Sequence, residues 1–270
     1  MTNEPPPYPG EPNPSSGDLP SYGSTPPPPQ GGYPPPPPGG YPPAPGGYGA
    51  APYSAPDAIG YGWRKFKDNA GVMIAATLIV FVGGLVLGIL SEVIAPSPSY
   101  FAPGGDFDFD AGATVASLVA QAVTGTFVYI LVAMLTRGAL DVVDGGNFDI
   151  GRAFGALDIV KVLITGLLLS VLSTIGFALC VLPGLIFSIF AYFTIYFVVD
   201  KDQDPVQSIG SSFSLVGRNF GDALLTGLLA VLVLLAGTLL CLVGLLAAIP
   251  IITLAGAYAF RRFQGEPVAP

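Results

Sequence analysis

Six stretches of this chain are too apolar over too great a length to sit comfortably in a soluble fold, about 72–94, 114–136, 162–182, 184–199, 223–243 and 245–260. A helix rises about 1.5 Å per residue, so about 20 apolar residues cross a hydrocarbon layer about 30 Å thick. The fourth and sixth stretches are shorter and fit either thin spans or partly re-entrant segments. Mean hydropathy is +0.63 even though a polar tail dilutes it. The spacing therefore predicts an all-α integral membrane protein of six transmembrane helices.

A short pattern occurs three times: Ile59-Gly60-Tyr61-Gly62-Trp63, Ile150-Gly151-Arg152-Ala153-Phe154 and Ile209-Gly210-Ser211-Ser212-Phe213. Each copy has another apolar residue three positions on, Phe66, Leu157 and Val216. The spacing i, i+4, i+7 marks one stripe of a helix. Each copy precedes a pair of spans, which predicts three repeated units of interfacial helix plus hairpin. In the first copy Ile59, Trp63 and Phe66 are expected on one face and Arg64, Lys65 and Lys67 on the other. Trp63, Phe66, Phe154 and Phe213 are the expected interfacial anchors, since aromatic rings favour the headgroup boundary. A second similarity links unit two to unit three. Thr165-Gly166 matches Thr226-Gly227, Gly176 matches Gly237, and Cys180 matches Cys241. Fixed-period similarity of this kind signals duplicated units. Pro183-Gly184 predicts the turn between the third and fourth spans, and Pro250 a kink near the start of the sixth. Gly84 and Gly88 form a GxxxG, either a packing face or the ordinary glycine of membrane helices.

The six-span arrangement places all ten Lys and Arg on one side. Arg64, Lys65 and Lys67 precede span one; Arg137, Arg152 and Lys161 separate spans two and three. Lys201 and Arg218 separate four and five, and Arg261 and Arg262 follow six. The other side carries Glu92, Asp106, Asp108 and Asp110. The positive-inside bias predicts a multi-pass plasma-membrane protein with both termini cytoplasmic. No secretory signal is visible, so the first hydrophobic helix is expected to direct insertion. Gln121 lies within the second stretch and is expected to find a partner inside the bundle. Asp158 and Lys161, three residues apart, could pair on one helix face. No ionisable residue falls near a bilayer midplane, which argues against a proton-coupled pump.

The domain limits read as a tail at 1–56, a polytopic domain at 57–263 and a C-terminal tail at 264–270. Residues 1–56 hold 21 of the 29 prolines and no Lys or Arg. Gly31-Gly32-Tyr33, Gly39-Gly40-Tyr41 and Gly46-Gly47-Tyr48 punctuate proline runs that favour polyproline II. With few large apolar residues to bury, this Pro/Gly/Tyr-rich segment is expected to be disordered. It suits a solvated spacer or an interaction arm for protein partners with aromatic-lined grooves. Pro5-Pro6-Pro7-Tyr8 fits a PPxY pattern, which so proline-rich a tail also produces by chance.

Catalytic and ligand-binding signals are sparse. A net charge of −8 leaves no footprint for nucleic acid. The absence of His removes the usual general base and commonest metal ligand. Asp106, Asp108 and Asp110 alternate with Phe but lack the glycine and terminal glutamate of a calcium loop. P-loop, GxSxG and HExxH motifs are missing. No catalytic residue, cofactor or metal site is expected. Cys180 and Cys241 each lie about 19 residues into a span, about 28 Å from its start at the helical rise. They read as two small apolar side chains, or as a disulfide between spans three and five on an oxidising exterior.

The Ile-Gly-x-x-aromatic segments, Cys180-Val-Leu-Pro-Gly184, Val198-Val199-Asp200 and Ser212-Phe213-Ser214-Leu215-Val216 resemble an uncharacterised bacterial family of six-helix integral membrane proteins. With the tail, the chain is most similar to the actinobacterial proline- and glycine-rich membrane proteins. The resemblance covers about residues 57–263 and, by composition, the tail. It implies a plasma-membrane location and no catalytic activity. The expected function is a membrane scaffold or adaptor with the tail as its arm. The alternative is a transporter or channel for a small or lipidic molecule.

Overall fold

The structure is a computed structural model that describes residues 53–98, 110–240 and 243–270. The expectations for residues 1–52, including the PPxY pattern, fall outside the described residues. Nine helices and no strand are found among those described. Six helical stretches are long and apolar enough to cross a membrane: Ala55–Ile94, Ala111–Val143, Ile159–Leu179, Val181–Lys201, Phe220–Leu239 and Leu245–Phe263. The all-α, six-span class is as expected. The fourth and sixth stretches are 21 and 19 residues long, sufficient for full spans.

The first four helices begin where short polar side chains satisfy the backbone donors orphaned at a helix start. Helix α1 (Ala55–Ile94) starts at Ser54, whose Oγ accepts from the Asp57 N–H at 3.4 Å, with Pro56 in its first turn. Asp110 caps α2 (Ala111–Val143), Asp149 caps α3 (Ile150–Gly155) and Asp158 caps α4 (Ile159–Leu179), each accepting backbone N–H bonds. The fourth span is broken into α5 (Val181–Ala191) and α6 (Thr194–Lys201). The amphipathic α7 (Pro205–Arg218) leads into α8 (Phe220–Leu239), and α9 (Leu245–Phe263) is the sixth span.

Three details differ from the sequence expectation. The first copy of the Ile-Gly pattern is not a separate helix but the opening turns of α1. It is set off from the span only by Asn69 at φ −124°, ψ 17°, whose side-chain amide donates to the Lys65 carbonyl. Tyr53–Pro56, grouped with the tail by composition, is ordered and packs on the bundle. The turn between spans three and four falls at Cys180, in an extended conformation, and not at Pro183-Gly184. Pro183 occupies the first turn of α5, where its missing N–H leaves no bond unmade. Gly184 instead allows close packing: its Cα lies about 3.0 Å from where a Cβ on Gly176 would stand. In the next hairpin Gly237 meets the Gly244 carbonyl in the same way.

The buried core lies toward one end of the spans. It joins Phe66 and Met73 of α1, Met134–Val143 of α2, Phe193–Val198, and Ile251–Phe260 of α9. This is the end that carries the cations. At the opposite end the helices present apolar side chains outward, including Val93 at 73%, Leu179 at 77% and Leu239 at 85% exposure. Such exposure in water would be costly, whereas in a bilayer these side chains simply face lipid.

Candidate functional site

Arg261, in the last turn of α9, organises the basic end. Its guanidinium donates from Nε and Nη2 to the Asp144 carboxylate at 3.0 and 2.7 Å. It donates from Nη1 and Nη2 to Asp200 at 2.6 Å each, and from Nη1 to Glu266 at 2.8 Å. The planar fork of arginine suits two bidentate carboxylates. Lys201 closes the cluster on Glu266 at 2.6 Å and Asp200 at 3.1 Å. The side chains of Arg261 and Asp200 are each only 8% exposed. One arginine thereby ties the ends of α2, α6 and α9 to the segment after α9.

That segment is no loose tail. Gly265 at φ +73° reverses the chain after α9, a conformation that glycine adopts without strain. The Ala269 N–H then donates to the Val143 carbonyl at 2.8 Å, and the Lys65 ammonium donates to the Pro270 carbonyl. Val268 packs against the core. Residues 264–270 therefore form a strap across the basic end. The sequence showed Arg261 only as one of ten cations, because nothing local links it to Asp144 or Asp200.

Of the expected anchors, Trp63, Phe154 and Phe213 are 50%, 47% and 37% exposed, while Phe66 is 6% exposed. Phe66 belongs to the core and is not an interfacial anchor. The stripe i, i+4, i+7 spans enough of the helix that its last member turns inward, as Val216 also does. The expected face of Ile59, Trp63 and Phe66 is thus split. Phe213 joins Phe187, Phe190 and Phe220 in an aromatic cluster beside span four.

Ser212, inside the third copy of the pattern, has a role that its sequence context concealed. Its hydroxyl donates to the Phe190 carbonyl at 2.6 Å and accepts the Phe193 N–H at 3.1 Å. These are the backbone groups freed by the break between α5 and α6. A Ser212→Ala variant strands both, and the expected cost is about 1–3 kcal/mol. Thermal unfolding of the full chain in mild detergent measures it, with Ser211→Ala as control; equal midpoints for the two variants refute the role.

Asp158 and Lys161 do not pair with each other. Asp158 is occupied as the α4 cap, and Lys161 reaches Asp202 at 2.8 Å. Gln121 is exposed, not enclosed by the bundle. Gly84 and Gly88 meet nothing within 4 Å, so this GxxxG packs no helix among the described residues. Cys180 is exposed; Cys241, its candidate disulfide partner, lies outside the described residues. Asp106 and Asp108 do too. Asp110 caps α2, and no group of metal-ligating side chains occurs among the described residues.

A second feature is a groove of about 380 Å³ between α5, α8 and α9. It arises because α8 packs on α9 and α1, while α5 packs on α4 and α7. Leu185, Ile189, Val231 and Ile252 make its walls apolar, and Tyr192 and Thr226 bring hydroxyls to the half nearer the basic end. Thr226 Oγ1 is hydrogen-bonded to the Tyr53 hydroxyl at 2.5 Å. Burial pushes the Tyr53 phenol up to about 12, so it stays protonated and able to donate.

The chain is 43% identical, over 107 residues, to an uncharacterised protein of Mycobacterium bovis and to one of Mycobacterium tuberculosis. The match takes in 40% of this chain and 33% of each relative, so the chain spans about a third of the length of the curated relatives it matches. The mycobacterial source of both agrees with the actinobacterial resemblance. No family model and no solved structure matches the chain.

Proposed function

We propose that this multi-pass membrane protein is a scaffold or adaptor of the plasma membrane, with no catalytic role. The observation that carries the reading is the braced basic end. A paired charge cluster and a strap fix four segments of the chain together, and Trp63, Phe154 and Phe213 are exposed on the helices around them. An end held this firmly suits a platform. The positive-inside bias supports a cytoplasmic position for it and for both termini, and the glycine pairs closing both hairpins support reading spans three to six as duplicated units. The Pro/Tyr-rich segment 1–52 serves as the arm for protein partners.

Crosslinking in native membranes followed by recovery of the full chain, with and without residues 1–52, tests the reading. Loss of crosslinked partners with unchanged insertion is expected on deletion. An unchanged partner set reduces the tail to a spacer and removes the adaptor role.

The groove beside span four favours a second reading, transport of a small or lipidic molecule. Flux in proteoliposomes distinguishes the two.

A further inference from the structure

We infer that α8 swings onto α5 to close the groove between them, so that span five meets span four as span three already meets span two. The motion is independent of both readings above.

Internal spacing supplies the closed form. Gly166 and Gly227 are 61 residues apart, and so are Asp200 and Arg261. Val142-Val143-Asp144 matches Val198-Val199-Asp200, 56 residues on, and both carboxylates bind the one guanidinium. Corresponding positions also make corresponding contacts at the basic end. Ser212 stands three residues after Ile209 and holds the Phe190 carbonyl at 2.6 Å. Gly62 stands three residues after Ile59, and an added Cβ there strikes the Ile251 carbonyl, 61 residues beyond Phe190. Ala153, three residues after Ile150, is fully buried where α3 packs on α2. Duplicated units that share such contacts share a way of packing.

One seam departs from this rule. Between α2 and α4 the helices are in close contact. An added Cβ on Gly166 comes within 2.9 Å of the Tyr129 Cβ and 3.0 Å of the Thr126 carbonyl, and Gly125 faces Ser170. Between α5 and α8 the same contact is missing. Gly227, which corresponds to Gly166, meets nothing within 4 Å. Leu185, which corresponds to Tyr129 at the spacing of 56, is 49% exposed on the groove wall.

Helix α8 is the element free to move. Of its 20 residues, Thr226 and Gly237 alone are buried. It is entered through Asn219, outside helical geometry at φ −119°, ψ 33°, and the close contact of Gly237 with Gly244 supplies the pivot. Closure strands no hydroxyl of Ser188 or Thr226, because these donate to the Gly184 and Asp222 carbonyls at 2.8 and 2.7 Å. Since the Thr226 hydrogen goes to Asp222, the Tyr53 hydroxyl is the donor in their 2.5 Å bond. The Tyr53 ring packs on Tyr258 and Phe263 of α9, so this one bond ties α8 in its present place. Two arrangements separated by so few contacts form a bistable element.

The test is disulfide formation within the full chain in phospholipid vesicles, with Cys180 and Cys241 replaced by Ala. Leu185→Cys with Gly227→Cys, and Ile189→Cys with Ala223→Cys, are the pairs that closure joins, read as linked peptides by mass spectrometry. The two pairs change different residues, so misfolding of one leaves the other informative. Gly125→Cys with Ser170→Cys, in the closed seam, is the positive control. Both test pairs are expected to link, more slowly than the control. Tyr53→Phe should speed them about fivefold, the effect of one lost hydrogen bond. Leu185→Cys with Leu234→Cys also lines the groove but lies seven residues out of register, and should stay reduced. No link at either test pair where the control links completely overturns the inference. So does equal linking of the out-of-register pair, a dimer as the linked product, or rates that Tyr53→Phe leaves unchanged.

Discussion

Arg261→Ala is expected to destabilise the chain by about 3–5 kcal/mol, because it leaves Asp200 as a buried carboxylate without its main partner. The Asp200 side chain is 8% exposed, and Arg261 supplies two of its bonds at 2.6 Å. Lys201, the other cation on Asp200, is 3.1 Å away and shared with Glu266, so it compensates only in part. The loss reaches further than one pair. Without the guanidinium, the ends of α2 and α6 and the strap lose their common tie. The measurement is thermal or denaturant unfolding of the full chain in mild detergent. An Arg261→Met, Asp200→Leu double variant should recover much of the loss, since apolar replacement of both partners avoids the stranded charge. If Arg261→Ala unfolds within about 0.5 kcal/mol of the unmodified chain, the range of a neutral surface change, the cluster does not hold the basic end together.

Gly62→Val should separate α1 from α9, with a cost of at least about 1–3 kcal/mol for overpacking a rigid contact. An added Cβ at Gly62 collides with the Ile251 backbone carbonyl and comes within 3.3 Å of the Ala255 nitrogen. Backbone cannot swing aside as a side chain can, so the helices themselves must move. Gly60→Ala, two residues away, is the control. Its Cβ meets only the Arg64 side chain at 3.7 Å, and replacing a helical glycine there should stabilise by up to about 1 kcal/mol. Size-exclusion profiles after a heating series read both variants. Equal profiles for Gly62→Val and Gly60→Ala refute close α1–α9 packing.

The pair also shows which glycine signal the sequence made visible. Gly60, Gly151 and Gly210 recur in the Ile-Gly pattern, yet an added Cβ meets nothing closer than 3.5 Å at any of them. Gly62 does not recur, and it is where two spans touch. Recurrence records local helix pattern and descent. A close approach depends on what the partner helix presents, and that partner lies about 190 residues further on.

The same division runs through the rest of the molecule. The caps at Asp149 and Asp158 act on backbone only three and two residues away, yet the sequence reading took Asp158 as a partner for Lys161. The spans were legible because apolar length is a property of consecutive residues. Phe66 was misread because a stripe fixes which residues share a side of a helix but not which neighbour covers that side. Ser212 and the groove were invisible, since both arise from segments that meet only in three dimensions.

By itself the sequence determined an all-helical chain with six membrane-length spans and its cations gathered between alternate pairs of them, because length and hydropathy are summed along the chain. Only the tertiary structure decided that Arg261 braces the basic end, that residues 264–270 strap it, and that span four stands off from span five to leave a groove. Those outcomes depend on distances between residues up to 205 positions apart, such as Lys65 and Pro270, and no local pattern encodes them.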